Sequence, residues 1–366
     1  MRVPEKILVI RLSSVGDIIL TSPLLRCLRA RFPGARIDVL LKSEYIELVK
    51  FNPHVTNVIQ LAAGTRGELS QLKNDIRDTG YDCILDLHNS LRSRWLRSFA
   101  GARRVRVVNK RVLRRLALVK WKKNLYRSVV PVADRYIETA SSLGVENDGG
   151  GLEIHVPEEI RLLTDSKLSR FSLGPDAAVI GLVPGARHFT KRWPQERFVE
   201  IGVRLAKIPS AKLLLFGSKE EELACSDIAQ LINSASGSGA AVNLAGKLSL
   251  LETAVAFDAC RVVVTNDTGL MHLAAARKRK IVAIFGSTVK EFGFFPYGTE
   301  NIVLENPGLA CRPCTHIGRP ACPLGHFNCM NQITAEDVLL AVSTISKLKL
   351  WEESSHSSSV RDIASR

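Results

Sequence analysis

Apolar residues fall along this chain in short runs of strand length, and most are followed by a longer stretch whose apolar positions recur at helical spacing. Lys6 to Leu12, Arg36 to Leu41, Val55 to Leu61, Asp82 to Leu87 and Arg103 to Val108 read as strands of a first series, with Ile18 to Arg31 as the helix after the first of them. The turn-rich NDGGG at 147–151 and the segment FSLGPDA before Ala178 interrupt the rhythm. It then restarts: Ala178 to Val183, Ala211 to Phe216, Arg261 to Thr265 and Ile281 to Phe285 are strand-like, each with a helix-like stretch behind it. Strand-then-helix alternation, run twice, predicts an α/β protein of two doubly wound domains with parallel sheets. The expected domains are 1–160 and 175–345, and the Ser-rich polar tail at 352–366 predicts disorder.

Composition narrows the function. With 46% hydrophobic and 24% charged residues the chain is neither a disordered polymer nor a membrane-spanning bundle. No apolar run reaches the roughly 18 residues that cross a bilayer. Arg11 and Asp17 break the N-terminal apolar run before any cleavage-like site, so no signal peptide is expected and the protein is placed in the cytoplasm.

Charge changes the picture more. Lys and Arg number 51 against 36 Asp and Glu, a net charge of +15, which asks for an acidic partner. Between Leu87 and Ala133 there are fourteen Lys/Arg, among them Arg92, Arg94, Arg114 and Arg115, and no Asp or Glu; Trp95, Trp121 and Tyr126 are interleaved. Such a block is either a solvated face or a docking surface. Nucleic acid, an anionic membrane and a phosphorylated substrate all fit it.

Three motifs carry candidate chemistry, each at the carboxyl end of an expected strand, where open α/β sheets bind ligands. In Arg11-Leu-Ser-Ser-Val-Gly16-Asp17, Gly16 permits a tight turn, and Asp17 is either a helix cap or a general base at the mouth of a cleft. In the segment Pro184 to Pro194, which holds Thr190, Lys191 and Arg192, Pro194 suits the first helical position and the cations before it suit a diphosphate. In Thr265-Asn-Asp267-Thr268-Gly269-Leu-Met-His272, the amides of Thr268 and Gly269 open a helix whose dipole favours an anion, and His272 lies one turn further in.

Of eight cysteines, Cys311, Cys314, Cys322 and Cys329 cluster. Four thiolates can hold a structural zinc, although the later spacings are irregular for a zinc ribbon; a redox disulfide and free thiols in a packed loop are the alternatives.

Taken together, RLSSVGDIILTSPLLRCLRARFPGARI, KRWPQERF, TNDTGLMHLAAA and VAIFG resemble the bacterial lipopolysaccharide heptosyltransferases of glycosyltransferase family 9, over roughly residues 6–340. The segment from Cys311 to Met330 is similar to the C-terminal part of the type II members. The resemblance implies a GT-B fold, in which two Rossmann-like domains face each other across a cleft. The N-terminal one holds the acceptor and the C-terminal one the ADP-sugar. It implies inverting transfer of a heptose from ADP-L-glycero-D-manno-heptose to the inner core of lipopolysaccharide, without cofactor or metal. Asp17 would be the base. Thr190, Lys191, Asp267, Thr268, Gly269, His272 and one of Glu220 and Glu221 would bind donor, and Arg92, Arg94, Arg114 and Arg115 would meet the acidic lipid A-core acceptor at the inner membrane surface. On this reading nucleic acid is not a partner. A sugar-nucleotide 2-epimerase sharing the GT-B shape, and a non-enzymatic anion- or RNA-binding module, are the competing readings.

Overall fold

The computed structural model describes residues 3–98, 100–171, 173 and 177–348. The tail expected at 352–366, and the start of the second domain expected at 175, lie outside the described residues.

The first sheet has five parallel strands: β1 (Lys6–Ile10), β2 (Arg36–Lys42), β3 (Asn57–Leu61), β4 (Cys83–Asp86) and β5 (Arg104–Val107), in the order β3-β2-β1-β4-β5. The second has six: β6 (Ala178–Val183), β7 (Ala211–Leu215), β8 (Ala241–Asn243), β9 (Val262–Asn266), β10 (Lys280–Phe285) and β11 (Asn301–Glu305), in the order β11-β10-β9-β6-β7-β8, again all parallel. Helices cover both faces, so the inner strands are apolar throughout: Ile7 to Ile10, Val262 to Val264 and Ile281 to Phe285 are almost wholly buried. The two-sheet α/β architecture is the one the hydrophobic pattern predicts.

Some elements differ from expectation. The single helix expected over Ile18–Arg31 is two, Val15–Ile19 and Ser22–Arg31. Pro23 sits in the first turn of the second, where a proline is compatible with a new start but not with an unbroken helix. Likewise Pro194 is the residue before the Gln195–Leu205 helix rather than its first member. Strands β8 and β11 lie at the edges of the second sheet, one only three residues long and the other half-buried, and neither gives an apolar run that stands out.

In each sheet the chain order reverses beside the first strand of its domain, between β1 and β4 and between β9 and β6. These switch points are where open α/β sheets leave a crevice beyond the strand ends. The two domains bring their crevices together. Lys122 Nζ donates to the carbonyls of Cys311 (3.0 Å) and Pro313 (2.6 Å), and the Val132 amide donates to Gly293 O at 2.9 Å. Val15 and Gly16 of one domain pack directly on Gly269 and His272 of the other.

Candidate active site

A cleft of about 560 Å³ opens between the two switch points. Arg11, Ser14, Gly16 and Asp17, from the turn after β1, form one wall. Arg187, His188 and Lys191, after β6, and Asp267, Thr268, Gly269 and His272, after β9, form the other. Lys110, Arg115, Tyr126, Arg135 and Tyr136 line the first-domain side, and His316 and Ile317 close it from the cysteine-bearing loop.

Asp17 stands in the first turn of the Val15–Ile19 helix, where its Oδ2 is 3.5 Å from the Ser14 amide. Its Oδ1 pairs with Arg11 Nη2 at 2.6 Å and accepts from the Tyr136 hydroxyl at 3.2 Å. Burial works against its charge, but the Arg11 guanidinium outweighs this and holds the carboxyl below its usual range. The cap and the cleft carboxylate are thus one residue. Arg11 is itself fixed, since its Nη1 donates to Leu87 O at 2.7 Å.

Across the cleft, Lys191 Nζ lies 2.7 Å from Asp267 Oδ2, which also accepts from the Thr288 hydroxyl at 2.7 Å. Asp267 is thus held by one cation and one hydroxyl. Thr268 is the N-cap of the Gly269–Ala276 helix, and its side chain makes no capping hydrogen bond. His272 is 3% exposed; burial pushes its imidazole down to about 4, and its Nδ1 is unpartnered among the described residues. A neutral ring with a spare nitrogen is thereby held at the contact between the domains.

Of the residues singled out in the sequence, Asp17, Lys191, Asp267, Thr268, Gly269, His272 and Arg115 come together in the cleft. The others do not line it. Thr190 is 1% exposed; its Oγ1 donates to Ser287 Oγ (3.1 Å) and accepts from the Arg319 amide (2.8 Å), bracing the turn that carries Lys191. Glu221 accepts from the Ser218 amide at 2.8 Å and lies so close over Gly185 that a Cβ there would meet its Oε1 at 2.0 Å. Glu220 is exposed. Arg92 and Arg94 are exposed on the Leu91–Arg97 helix, and Arg94 Nε donates to Asn89 Oδ1 at 3.1 Å. Arg114 neighbours Arg115, but successive helical residues diverge by about 100°, so it faces a separate pocket with Asn109, Arg111, Val112 and Leu113. Arg11 lies within the first motif, Arg187 within the second and Lys110 within the basic block, whereas Tyr136 and His316 carry no local signal beyond residue type.

The cysteine cluster carries free thiols at all four positions. Burial raises Cys314, and raises Cys329 to about 11. The loop is held to the second domain by Arg312, whose Nε donates to Gly286 O at 2.6 Å.

Two facing doubly wound domains with a polar cleft between their strand ends make up the GT-B architecture. The chain belongs to glycosyltransferase family 9, the heptosyltransferases, whose sequence profile matches residues 69–324. Lipopolysaccharide heptosyltransferase 2 of Escherichia coli K12 is 32% identical over 300 residues, 78% of this chain and 84% of that protein. Among solved structures, a family 9 glycosyl transferase from Veillonella parvula superposes with a TM-score of 0.75 at 24% identity, covering 94% of this chain and 97% of its own. The E. coli ADP-heptose LPS heptosyltransferase II superposes with a TM-score of 0.68 at 27% identity, covering 93% and 98%. The protein is accordingly a glycosyltransferase rather than a binding module. Among the described residues no helix is long and apolar enough to cross a membrane.

Proposed function

We propose that this enzyme transfers a heptose from ADP-L-glycero-D-manno-heptose to the inner core of lipopolysaccharide, with inversion and without cofactor or metal. The observation that carries the reading is the meeting of one carboxylate from the first domain, Asp17, with the cationic Lys191 and the Thr268–Gly269 helix start from the second, in a single cleft. The relatives' names supply the donor and the acceptor class.

Asp17 acts as general base on the acceptor hydroxyl, which attacks the anomeric carbon from the face opposite ADP. Charge builds on the departing diphosphate. Lys191 and the amides of Thr268 and Gly269 oppose it, and Arg187 adds a second cation from the same side. For Lys191 to do so, the incoming diphosphate must draw it from Asp267, which frees that carboxylate to accept from sugar hydroxyls.

The acceptor is acidic, and Arg115 and Lys110 give the first-domain wall the matching sign. Beyond the cleft, the Val112–Trp121 helix and the segment after it expose Leu113, Trp121 and Leu125 beside Arg114, Lys120, Lys123 and Arg127. Apolar tips among cations suit a bilayer of anionic lipids, and we assign peripheral docking on the inner face of the cytoplasmic membrane to this surface. The test is turnover: purified enzyme with ADP-heptose and a core-truncated lipopolysaccharide should add one heptose mass to the acceptor. Consumption of donor to give a free epimerised sugar, with no acceptor needed, would favour the epimerase reading.

A further inference from the structure

Glu153 and His155 lie on the segment that leads from the first domain towards the second, and His54 lies in the turn before β3. None of the three lines the cleft. Oε1 of Glu153 stands 3.2 Å from Nε2 of His54 and 3.4 Å from Nε2 of His155. These atoms all lie within 4.8 Å of one another. Neither approach is a well-aligned hydrogen bond, although Glu153 Oε1 and His155 Nε2 are both shut off from solvent. Buried polar atoms left in that state are uncommon and call for a cause.

The spacing supplies one. N–H···O hydrogen bonds run from about 2.7 to 3.2 Å, so one separation stands at the long limit of that range and the other beyond it. Ligand atoms bound tetrahedrally at about 2.0–2.1 Å from a zinc ion stand about 3.3–3.4 Å from one another, close to both. The two imidazole rings meet edge to face, with centroids 5.8 Å apart and planes at 79°, so they converge on the carboxylate instead of stacking on each other. The carboxylate is also oriented from behind. Arg26 Nη1 donates to Glu153 Oε2 at 2.6 Å, while its Nε and Nη2 donate to Asp148 at 2.6 and 2.7 Å, so the guanidinium charge is shared with a second acid. Fixing one carboxylate oxygen in this way leaves the other free for a ligand role.

We propose that His54, Glu153 and His155 form a binding site for a divalent transition metal of the zinc class, with two imidazole nitrogens and one carboxylate oxygen as ligands and water in the fourth position. Imidazole and carboxylate donors suit that class better than calcium or magnesium. The ion would staple the crossing segment to the β3 side of the first domain, at the point where the chain passes on towards the second. Its role is structural, because the ligands are remote from the groups assigned to transfer.

Cobalt distinguishes this site from the cysteine cluster, because thiolate ligation adds an intense near-ultraviolet charge-transfer band that imidazole and carboxylate do not. Full-length protein stripped of metal is titrated with Co²⁺, in parallel with His54→Ala/His155→Ala. The wild type should take up one more ion per chain, with a visible d–d spectrum free of the sulfur band in the difference. Zn²⁺ should displace it and raise the Tm of the wild type alone. Equal cobalt uptake and equal Zn²⁺ effects in the two folded proteins would overturn the proposal. If the double variant does not fold, Glu153→Gln serves as the comparison, since it keeps the side-chain shape while removing the anionic ligand. It should bind cobalt at least tenfold more weakly, and unchanged affinity counts against the site.

Discussion

Arg11 and Asp17, six positions apart in sequence, close a 2.6 Å ion pair at the end of β1, and the same carboxylate accepts from Tyr136 on the opposite flank of the turn. Arg11 therefore sets both the position and the basicity of the group assigned to deprotonate the acceptor. Asp17→Asn should lower kcat by about 10²- to 10⁴-fold, the usual cost of losing a general base, while ADP affinity stays close to wild type. Calorimetric ADP binding alongside the transfer assay checks both, and activity within a few-fold of wild type would reduce Asp17 to a cap.

Removing the guanidinium tests the same pair by pH. Arg11 lowers the Asp17 pKa, so in Arg11→Gln the carboxylate protonates at higher pH and the acid limb of kcat/KM should move upward. Arg11→Lys, which keeps the charge, should move it less. An acid limb that stays in place in Arg11→Gln would separate the limb from Asp17.

The Lys191–Asp267 contact makes a prediction that differs from that of Asp17 on the binding side. Lys191→Ala should weaken ADP and donor binding and slow transfer together, since the lost cation faces the diphosphate in both ground and transition state. Asp267 would also be left buried without its ion-pair partner, its side chain being 6% exposed. EDTA should leave wild-type turnover unchanged; inhibition by chelator that Mg²⁺ reverses would contradict the metal-free reading.

Much of this site could be read from the chain before its fold was known, and the reason is topological. A strand end that runs into Gly-Asp or Asp-Thr-Gly is a local pattern, and the switch-point rule puts such ends in the crevice. Asp17, Asp267 and His272 are legible on that ground, and Lys191 as a cation in the loop after a strand. What the chain hides is reach across space. Arg115 and Arg114 are alike in sequence, yet only Arg115 enters the cleft, because helical phase turns its neighbour elsewhere. Thr190 sits beside Lys191 and looks like a ligand residue, but its hydroxyl is spent on Ser287 and Arg319, 97 and 129 positions away. Edge strands β8 and β11 escaped because, with one neighbour and partial burial, they need no conspicuous apolar run.

Gly16 has a steric duty that its backbone alone does not reveal. A Cβ at this position would approach His272 Cδ2 to 2.7 Å, in a contact between the two domains. Gly16→Ala must therefore shift the His272 ring or part the domains. It should destabilise the protein by about 1–3 kcal/mol, the range for overpacking, and lower kcat more than ADP affinity. Chemical denaturation with transfer kinetics checks this, and a fully active variant of wild-type stability would show that the contact yields freely.

Three buried or half-buried histidines set the acid behaviour of the fold. Burial pushes His88, His272 and His316 each down to about 4. Unfolded, each would titrate near 6.5. Between these values the unfolded chain binds more protons than the native one, so stability is fully present above about 6.5 and falls as pH drops towards about 4. His272→Gln cannot take up a proton, and its urea midpoint should fall less between pH 7 and pH 5 than that of wild type. The two slopes should be compared at equal ionic strength, because His88 also faces Arg11 and Lys110, whose repulsion of its charged form is screened by salt. Identical slopes would mean that His272 is not the group that takes up the proton.

The basic helix supplies the last prediction. Arg114 is exposed and stands off the cleft, whereas Arg115 lines it, so adjacent residues separate membrane docking from acceptor recognition. Arg114→Glu together with Lys120→Glu should weaken binding to vesicles of anionic phospholipid, while the KM for a soluble, delipidated acceptor changes little. Arg115→Glu should do the reverse, raising that KM with a smaller loss of vesicle binding. Near an anionic surface each cation contributes roughly 1 kcal/mol, so the double reversal should cost well over tenfold in vesicle affinity at low salt. The deficit should shrink as salt rises, since screening tightens to about 8 Å at physiological ionic strength. Exposed Leu113 and Trp121 add a part that salt does not screen, and Trp121→Ala should lower vesicle binding equally at low and high salt. If the charge-reversed and Trp121 variants bind vesicles like the wild type at low salt, this helix is a solvated face and the enzyme reaches its acceptor by another surface.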